Sequence, residues 1–532
     1  MFNIQEYSTK LVLILIIFLS FIKIYAQDSL YLVGTITGES TDKRITDVKG
    51  IGDVNGDGYD DFMTASYVSN TVTLYLGSSG LNLIKDVTFK PHSSMKQVVN
   101  FGWISGIGDV NADGYDDFII NAAFRDYVLG KGIVFLYYGG IEVDTIPVNE
   151  FYEDWTQDGF GSFTTGIGDL NKDGYDDFVI GSYYNWDNGK GYAHLFWGGD
   201  TISWNRSLTF VSPNPLTGDF FGRSAANIGD VNNDGFDDLA IGAPNEAFPD
   251  SGRVYIYYGG NPMDTISDAI LVSDRDTYEF GSIIKNAGNI NGDGVNHFFV
   301  NSDDYIFLFT GTNKNVFING ADLGFGGYLN IEAGFDINKD SINDFIIGNT
   351  NYKNADSVMA GGAFVYLGNK NIDKVYKYKL EGQNQWGEFS KIMTHADING
   401  DEYDEIFILA PSFSDYANPL VGKIYIYSYK KLTEVKDNIK NLPENLKLYQ
   451  NYPNPFNPST IINYQLTMNN FASIKVYNVL GKEIATLVNK YQTAGMHKIE
   501  FDADKYQLSS GIYFYELKIK DNALYKKMVL LR

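Results

Sequence analysis

A nine-residue acidic segment recurs along this chain at nearly regular intervals. It reads DVNGDGYDD at residues 53–61, and the starts of successive copies lie 56, 60, 61, 59, 47 and 61 residues apart. The later copies begin at Asp109, Asp169, Asp230, Asn289, Asp336 and Asp397. A period near 60 residues indicates that one supersecondary unit is repeated in a ring or in an array.

The sequence around each acidic segment follows one order in nearly every unit. An aromatic–Gly pair such as Phe221-Gly222 precedes the segment, and an apolar run such as LAIGAP at 239–244 follows it. An alternating stretch led by Gly comes next, as in GRVYIYYGG at 252–260. Short β-type runs between Gly and Asp turns indicate about four antiparallel strands in each unit. The sequence therefore predicts an all-β fold, a seven-bladed β-propeller, in preference to an open solenoid with capping repeats.

The order of these motifs also resembles a known repeat. An aromatic–Gly pair, an acidic loop, Gly242-Ala243-Pro244 and then Gly-x-Val-Tyr resemble the FG-GAP repeat of integrin alpha subunits, over roughly residues 28–430. The resemblance implies a seven-bladed propeller whose hairpin loops hold calcium. Residues 29–35 (SLYLVGT) are a candidate for the strand that closes the ring against the last blade.

The acidic segments themselves have the composition of calcium loops. Asp-x-Asn-x-Asp-Gly places oxygen atoms at alternate positions of a tight turn, and a carboxylate at the ninth position closes the cage. Calcium takes about six to eight hard oxygen ligands in a flexible geometry, whereas magnesium requires a stricter octahedron. The expected side-chain ligands are Asp53, Asn55, Asp57, Asp61, Asp109, Asn111, Asp113, Asp117, Asp169, Asn171, Asp173, Asp177, Asp230, Asn232, Asp234, Asp238, Asp336, Asn338, Asp340, Asp344, Asp397, Asn399, Asp401 and Glu405.

The seven loops are not expected to bind equally well. Ser341 and Glu402 replace the usual Gly in loops six and seven, which weakens both loops. Loop five has Asp293 as its only acid, and we expect it to bind nothing. The sequence thus predicts five or six calcium sites. Their expected role is structural, because the binding energy of such an ion stabilises the folded chain.

Charge and composition exclude several classes of function. The net charge is −25, and the seven acidic segments hold 25 of the 66 acidic residues. So acidic a chain is a poor partner for nucleic acid and a good one for divalent cations. The absence of Cys excludes disulfides, thiolate catalysis and Cys-ligated metals.

The loops that join the second and third strands are the expected place for a ligand. They lie on the face opposite the acidic loops, because antiparallel strands alternate in direction, and rigid scaffolds carry binding on such loops. Aromatic side chains there suit a sugar or a protein surface. The candidate contacts are Phe124, Tyr127, Tyr183 and Trp186. The alternative is that these rings pack on neighbouring blades.

The two ends of the chain carry targeting signals. Residues 1–26 read as a secretory signal peptide, with LVLILIIFLSFI after Lys10 and Ala26 at the exit, and no later segment is apolar enough for a transmembrane helix. We assign residues 27–430 to the propeller, 431–446 to a linker and 447–532 to a separate domain.

The last domain differs from the propeller in charge and pattern. Residues 441–532 carry a net charge of +4, and alternating runs such as 511–519 predict an immunoglobulin-like β-sandwich. NYPNPFNPST, IKVYNVLGKEIATLVN and SSGIYFYELK resemble the type A C-terminal sorting domain of the type IX secretion system. The resemblance implies recognition by that machinery and delivery to the bacterial surface or the exterior. The alternative is an adhesive sandwich module that stays on the protein.

These features together predict an exported, calcium-binding propeller that binds a glycan or a protein without catalysis. The alternative is a polysaccharide-degrading lyase or hydrolase, since propellers host such enzymes. No GxSxG elbow, clustered His or isolated carboxylate pair supports catalysis.

Overall fold

The computed structural model describes most of the chain beyond the predicted signal peptide. The chain divides into two compact units, residues 28–431 and 432–532. The predicted signal peptide and nearly all of the predicted linker lie outside the described residues. The described residues are 29–91, 99–124, 132–152, 159–183, 191–203, 207–213, 218–245, 252–273, 278–323, 329–354, 358–372, 374–414, 420–430, 446–466, 470–479, 481–492, 495–519 and 522–532.

The described part of the first unit forms seven four-stranded antiparallel sheets, the blades. Blade 1 contains β2 (Asp47–Gly52), β3 (Asp61–Ser66), β4 (Thr71–Tyr75) and β5 (Val87–Phe89), and blade 2 contains β6 (Val99–Gly108), β7 (Asp117–Phe124), β8 (Ile133–Tyr137) and β9 (Asn149–Phe151). Blade 3 contains β10 (Phe163–Gly168), β11 (Asp177–Ser182), β12 (Tyr192–Phe196) and β13 (Ser207–Val211), and blade 4 contains β14 (Ser224–Asn227), β15 (Leu239–Ala243), β16 (Arg253–Tyr257) and β17 (Ala269–Val272). Blade 5 contains β18 (Ile284–Gly288), β19 (His297–Asn301), β20 (Tyr305–Thr310) and β21 (Asn313–Asn319), and blade 6 contains β22 (Leu329–Phe335), β23 (Asp344–Asn349), β24 (Gly362–Tyr366) and β25 (Tyr378–Glu381). Blade 7 contains β26 (Ile392–Ala396), β27 (Glu405–Ala410), β28 (Lys423–Lys430) and β1 (Ser29–Thr37). Two short 3-10 turns lie at Thr41–Lys43 and Gly320–Leu323.

The blades close into a ring, as the sequence predicts. The first strand of each blade lies beside the first strands of its two neighbours, and β26 of blade 7 lies beside β2 of blade 1. The N-terminal strand β1 pairs antiparallel with β28, with Ser29 opposite Lys430 and Thr37 opposite Lys423. The first unit is therefore a seven-bladed β-propeller whose last blade is completed by the first strand.

The hydrophobic core of the propeller lies between neighbouring blades. Each buried apolar cluster draws its residues from two adjacent blades, including blades 7 and 1. In blade 1 the aromatic residue that follows the acidic loop, Phe62, stacks on Tyr75 of the third strand, with 4.7 Å between the ring centroids. Phe118 and Tyr137 repeat this pair at 5.1 Å, and so do Phe345 and Tyr366 at 4.8 Å. The alternating strands therefore bury one residue set on each side of a blade.

The strand order places two sets of loops on opposite faces of the ring. Every acidic loop joins the first and second strands of its blade, so all seven lie on one face, which we call the acidic face. The loops between the second and third strands lie on the opposite face. In blade 5 this second loop spans only residues 302–304, which accounts for much of the short 47-residue spacing between the acidic segments of blades 5 and 6.

The second unit is a β-sandwich. One sheet has the order β29 (Lys447–Leu448), β30 (Ser459–Leu466) and β33 (Gly495–Asp502). The other has the order β32 (Glu483–Gln492), β31 (Asn470–Asn478), β34 (Gly511–Ile519) and β35 (Asn522–Leu530). Residues of both sheets share one buried apolar core. Among the described residues of either unit, no helix is long and apolar enough to cross a bilayer.

Candidate functional site

The first acidic loop is shaped by hydrogen bonds from its own backbone to its predicted ligand side chains. Asp53 Oδ1 accepts hydrogen bonds from the N–H groups of Gly56 at 2.7 Å and of Asp57 at 3.1 Å. Asp53 Oδ2 accepts from the Gly58 N–H at 2.7 Å, and Asn55 Oδ1 accepts from the Asp57 N–H at 3.0 Å. These bonds hold the first, third and fifth positions of the loop in one tight turn.

The same turn recurs in the other loops that are predicted to bind calcium. In loops two, three and four, the first Asp accepts hydrogen bonds from the N–H groups of the fifth and sixth residues. In loops six and seven the sixth residues, Ser341 and Glu402, donate in the same way although neither is Gly. Both have a φ of +67°, a left-handed conformation that side chains disfavour. This strain is a physical reason to expect weaker sites there.

Loop five keeps the hydrogen bonds of the third and fifth positions but not those of the first, and it lacks most of the charges. Asn291 Oδ1 accepts a hydrogen bond from the Asp293 N–H at 3.0 Å, and Asp293 Oδ1 accepts from the Val295 N–H at 2.8 Å. Its ninth residue, His297, is buried, and its Nδ1 lies 2.9 Å from the Val295 carbonyl oxygen. The turn geometry is therefore not in itself evidence for a metal.

The carboxylate at the ninth position lies beneath the loop. Asp61 is fully buried, and its two oxygens accept hydrogen bonds from the N–H groups of Val54 at 3.0 Å and Gly77 at 2.7 Å. The pKa of Asp61 is raised to about 7, chiefly by burial; the two hydrogen bonds oppose this increase and the nearby Asp57 and Asp53 carboxylates add to it. Burial likewise raises the pKa of Asp117 to about 8, of Asp177 to about 7, of Asp238 to about 6, of Asp344 to about 8 and of Glu405 to about 8. A cation in the loop would offset the repulsion that these carboxylates share.

The carboxylate at the eighth position joins neighbouring loops. In three loops the eighth residue accepts a hydrogen bond from the backbone of a neighbouring loop. Asp60, Asp116 and Asp176 accept hydrogen bonds from the N–H groups of Asp397, Asp53 and Asp109 at 3.0, 2.8 and 3.0 Å. Each donor is the first ligand position of the adjacent loop. The acidic loops of blades 7, 1, 2 and 3 are thus linked in series.

The donor set of these loops fits a hard divalent cation. Among the described residues, no three Asp, Glu or His side chains converge closely enough to hold an ion by themselves. A site would therefore also draw on Asn side-chain and backbone oxygens, which calcium accepts. The side-chain oxygen of Asn338 in loop six is buried and has no hydrogen-bond donor within the described structure, and the same is true of Asn289 in loop five, which is not expected to bind. Such an acceptor is costly to bury unless a cation or another partner satisfies it.

The predicted ligand-contact aromatics are only partly described. Tyr127 and Trp186 lie outside the described residues, and Phe124 is described only as the last residue of β7. Tyr183 follows β11 on the opposite face. Its ring makes an edge contact with Phe220 at 5.8 Å, and the Arg223 guanidinium lies 5.7 Å from its centroid. Tyr183 therefore packs on the next blade and also borders the central channel, which Arg223 lines.

The central channel contains a charged cluster that the sequence analysis missed. The channel has a volume of about 860 Å³ and is lined by the first strands of the blades. Glu332 is buried there, with Lys285 Nζ 2.8 Å from its Oε2 and His395 Nδ1 3.2 Å from its Oε1. Burial opposes ionisation of Glu332, but Lys285, His395 and Lys49 together hold its pKa at about 2. Lys285 and Glu332 occupy equivalent positions of successive blades, so no single repeat shows the pair.

Two family matches agree with this architecture. Residues 221–257, which include β14 to β16 of blade 4, match the FG-GAP repeat. Residues 450–531, which form most of the sandwich, match the secretion system C-terminal sorting domain. The chain therefore carries an FG-GAP repeat and a sorting domain. The sorting domain implies export by the type IX secretion system, to the cell surface or the extracellular space.

The FG-GAP propeller is similar to integrin alpha chains. Human integrin alpha-6 is 33% identical over 187 residues, which cover 34% of this chain and 16% of that protein. Mouse integrin alpha-IIb is 30% identical over 205 residues, which cover 36% of this chain and 19% of that protein. The match thus spans less than one fifth of the length of these relatives.

Two solved structures are similar at low scores. One is of PorZ, described as an essential bacterial surface component of the type IX secretion system of Porphyromonas gingivalis, with a TM-score of 0.33, 11% identity and coverage of 89% of this chain and 58% of that chain. The other is of BBS1N in complex with ARL6DN, with a TM-score of 0.44, 11% identity and coverage of 77% and 99%. At these scores neither contributes to the assignment of function.

Proposed function

We propose that this chain is an exported binding protein whose acidic loops hold structural calcium and whose opposite face binds a glycan or a protein. The observation that carries the proposal is the division of the ring into two faces. One face consists of acidic loops with one repeated geometry, and the other consists of second loops that differ from blade to blade.

The calcium part of the proposal is supported by the donor set of the loops. In loops one to four, Asp residues at the first, fifth and ninth positions surround an Asn at the third. The fully buried ninth carboxylate has a raised pKa in every loop that is predicted to bind. Calcium would neutralise this charge, and its binding energy would add to the stability of the ring.

Glu332, the buried acid of the charged cluster in the channel, is not suited to glycan hydrolysis. A glycan hydrolase of the usual kind needs a carboxylic acid that is protonated near neutral pH and can donate its proton to the leaving group. Glu332 has a pKa of about 2, because Lys285, His395 and Lys49 outweigh the effect of burial. It is therefore ionised at neutral pH and cannot act as that acid.

The proposal is tested with the full chain on a panel of polysaccharides and envelope proteins, in calcium and in chelator. We expect retention on at least one member of the panel without new sugar ends, and weaker retention after chelation. New sugar ends would show instead a polysaccharide-degrading enzyme. No retention on any member in calcium, by a chain shown to be folded, would refute the binding function.

A further inference from the structure

A cavity of about 360 Å³ lies on the opposite face, between blades 7, 1 and 2. We call it the Arg44 cavity; its lining includes Arg44, Tyr67, Trp103, Glu388 and Lys391. Arg44 precedes β2, Tyr67 follows β3, and Glu388 and Lys391 precede β26, so these residues lie at the ends of their strands that are remote from the acidic loops. The cavity adjoins the central channel, because Lys391 and Ile392 line both.

Arg44 presents a cationic group in this cavity without an anionic partner. Its Nη2 donates to the Tyr67 hydroxyl at 2.7 Å, and its guanidinium lies 5.8 Å from the centre of the Tyr67 ring. Its Nε is buried and has no hydrogen-bond acceptor among the described residues, none of which forms an ion pair with it. The buried Nε is out of reach of a ligand in the cavity, so an anion there would meet the guanidinium at its other nitrogen atoms.

The two acids of the cavity are already engaged. Glu388 Oε2 accepts a hydrogen bond from Ser412 Oγ at 2.6 Å, and Glu388 Oε1 lies 3.7 Å from Lys391 Nζ. Asp47 accepts hydrogen bonds from the N–H groups of Val48 at 2.9 Å and Ile104 at 3.3 Å. The hydrogen bonds and the ion pair of these two carboxylates do not include Arg44, so its guanidinium has no anionic partner among the described residues, and an anion in the cavity would supply one.

The surroundings of the cavity add positive charge and an aromatic surface. The adjoining channel is lined by more basic than acidic side chains, although the whole chain has a net charge of −25. The basic residues are Lys49, Arg223, Lys285 and Lys391, and the acidic ones are Asp60 and Glu332, of which Glu332 is already paired. Local positive charge of this kind attracts anions to a cleft. Trp103 is 49% exposed at the cavity, so part of its ring is available to stack on a sugar face.

We propose that the Arg44 cavity binds an acidic saccharide, a sugar ring that carries a carboxylate. This inference rests on the proposed function and names the ligand class and its site. Arg44 binds the carboxylate, since guanidinium and carboxylate form short charge-assisted hydrogen bonds, and Trp103 stacks on the apolar face of the sugar. The volume of the cavity suits one or two sugar rings and lies within the range of small-ligand pockets.

The test uses tetragalacturonate and its fully methyl-esterified form as probes, with binding to the full chain measured by calorimetry in calcium. We expect the acid to bind about tenfold or more tightly than the ester, because the ester leaves Arg44 without an anion. Arg44→Gln and Trp103→Ala should each weaken binding of the acid about tenfold or more, and Arg44→Lys should restore only part of the loss.

Matched controls separate the site from general effects. Tyr152→Ala is the control for Trp103→Ala, because the Tyr152 side chain is 48% exposed and Trp103 is 49% exposed. Arg253→Gln is the control for Arg44→Gln, because it removes the same charge from a partly exposed arginine. Neither control residue lines the cavity. Both controls should bind the acid as the wild type does.

The outcomes distinguish this inference from the proposed function. Equal binding of acid and ester, or unchanged binding by Arg44→Gln, would overturn the acidic-saccharide site even if the panel shows another ligand. Failure to bind any panel member would overturn both. If Arg44→Gln does not fold, tryptophan fluorescence provides the test. Tetragalacturonate should change the tryptophan fluorescence of the wild type, and Trp103→Phe should abolish that change. A change that persists in Trp103→Phe would refute the site.

Discussion

Asp116 and Asp53 are joined by two hydrogen bonds that run in opposite directions between neighbouring blades. The Asp116 N–H donates to the Asp53 carbonyl oxygen at 3.2 Å, and the Asp53 N–H donates to Asp116 Oδ2 at 2.8 Å. Asp53 is the first proposed calcium ligand of loop one, whereas Asp116 belongs to loop two. The position of one proposed calcium ligand thus depends on a side chain of the next blade.

Replacement of Asp116 by Ala should therefore affect the loop of the neighbouring blade. The change leaves the Asp53 N–H without its acceptor, so we expect a loss of about 1–3 kcal/mol in the free energy of unfolding. We also expect weaker calcium binding at loop one, measured by calcium titration alongside urea unfolding. Asp237→Ala is the control, because Asp237 Oδ2 accepts instead from the Asn227 side chain at 2.9 Å. Equal calcium affinity in Asp116→Ala and wild type would contradict the coupling.

Asp57→Ala should remove about one calcium ion per chain, whereas Asp293→Ala should remove none. The two side chains make matching bonds: each accepts from the N–H two residues on, and each accepts from the Asn side chain two residues before. Only Asp57 belongs to a loop that is proposed to bind. Metal analysis after dialysis counts the ions, and each site should add about 2.7 kcal/mol of stability when calcium is a hundred times its Kd. Equal ion counts in the two variants would refute the assignment of loop one.

Glu332→Gln should destabilise the propeller by about 2–3 kcal/mol at neutral pH, because it leaves Lys285 without its buried counter-ion. The folded pKa of Glu332, about 2, lies below its ordinary value of 4.5, so its contribution is complete above pH 4.5 and is lost as the pH falls toward 2. Urea unfolding of wild type and variant from pH 7 to pH 3 should show a difference that narrows below pH 4.5. Glu150→Gln, at an exposed acid, should show no such difference.

Tyr515→Phe should destabilise the sandwich by about 1–3 kcal/mol. The buried Tyr515 hydroxyl donates to the Tyr449 carbonyl oxygen at 2.8 Å and accepts from the Asn451 N–H at 2.8 Å, and Phe would leave both backbone groups unsatisfied. Urea unfolding of the full chain, followed through a probe placed in the sandwich, measures the change. Tyr525→Phe, at a hydroxyl on an exposed side chain, should change stability much less. Equal effects of the two substitutions would contradict the buried role of Tyr515.

The number of blades and the strand that closes the ring could be predicted because both follow from local sequence patterns. The period of the acidic segment gives seven units, and the β-type residues 29–35, which precede the first unit, become most of β1. Within the sandwich, the alternating stretch 511–519 coincides with β34. Such patterns need only neighbouring residues for their interpretation.

Contacts between blades could not be predicted from one repeat. Asp116 is 63 residues from Asp53, and within its own unit it is only the first of two adjacent Asp residues. A signal was present in Gly52, where an added Cβ would lie 2.0 Å from Asp116 Oδ2. The same relation holds between Gly108 and Asp176, so the Gly before loop one and the Gly before loop two each leave space for the carboxylate of the neighbouring blade.

The strand that closes the ring also determines when the protein can finish folding. Paired residues of β1 and β28 lie 386 to 401 positions apart in the chain, so this pairing closes the longest loop of the propeller and carries a corresponding entropic cost. During synthesis β1 has no partner until residues 423–430 have been made. The sorting domain follows those residues, so any chain that displays it already contains every strand of the ring. Chains that terminate before residues 450–531 lack the domain by which the type IX secretion system would recognise them.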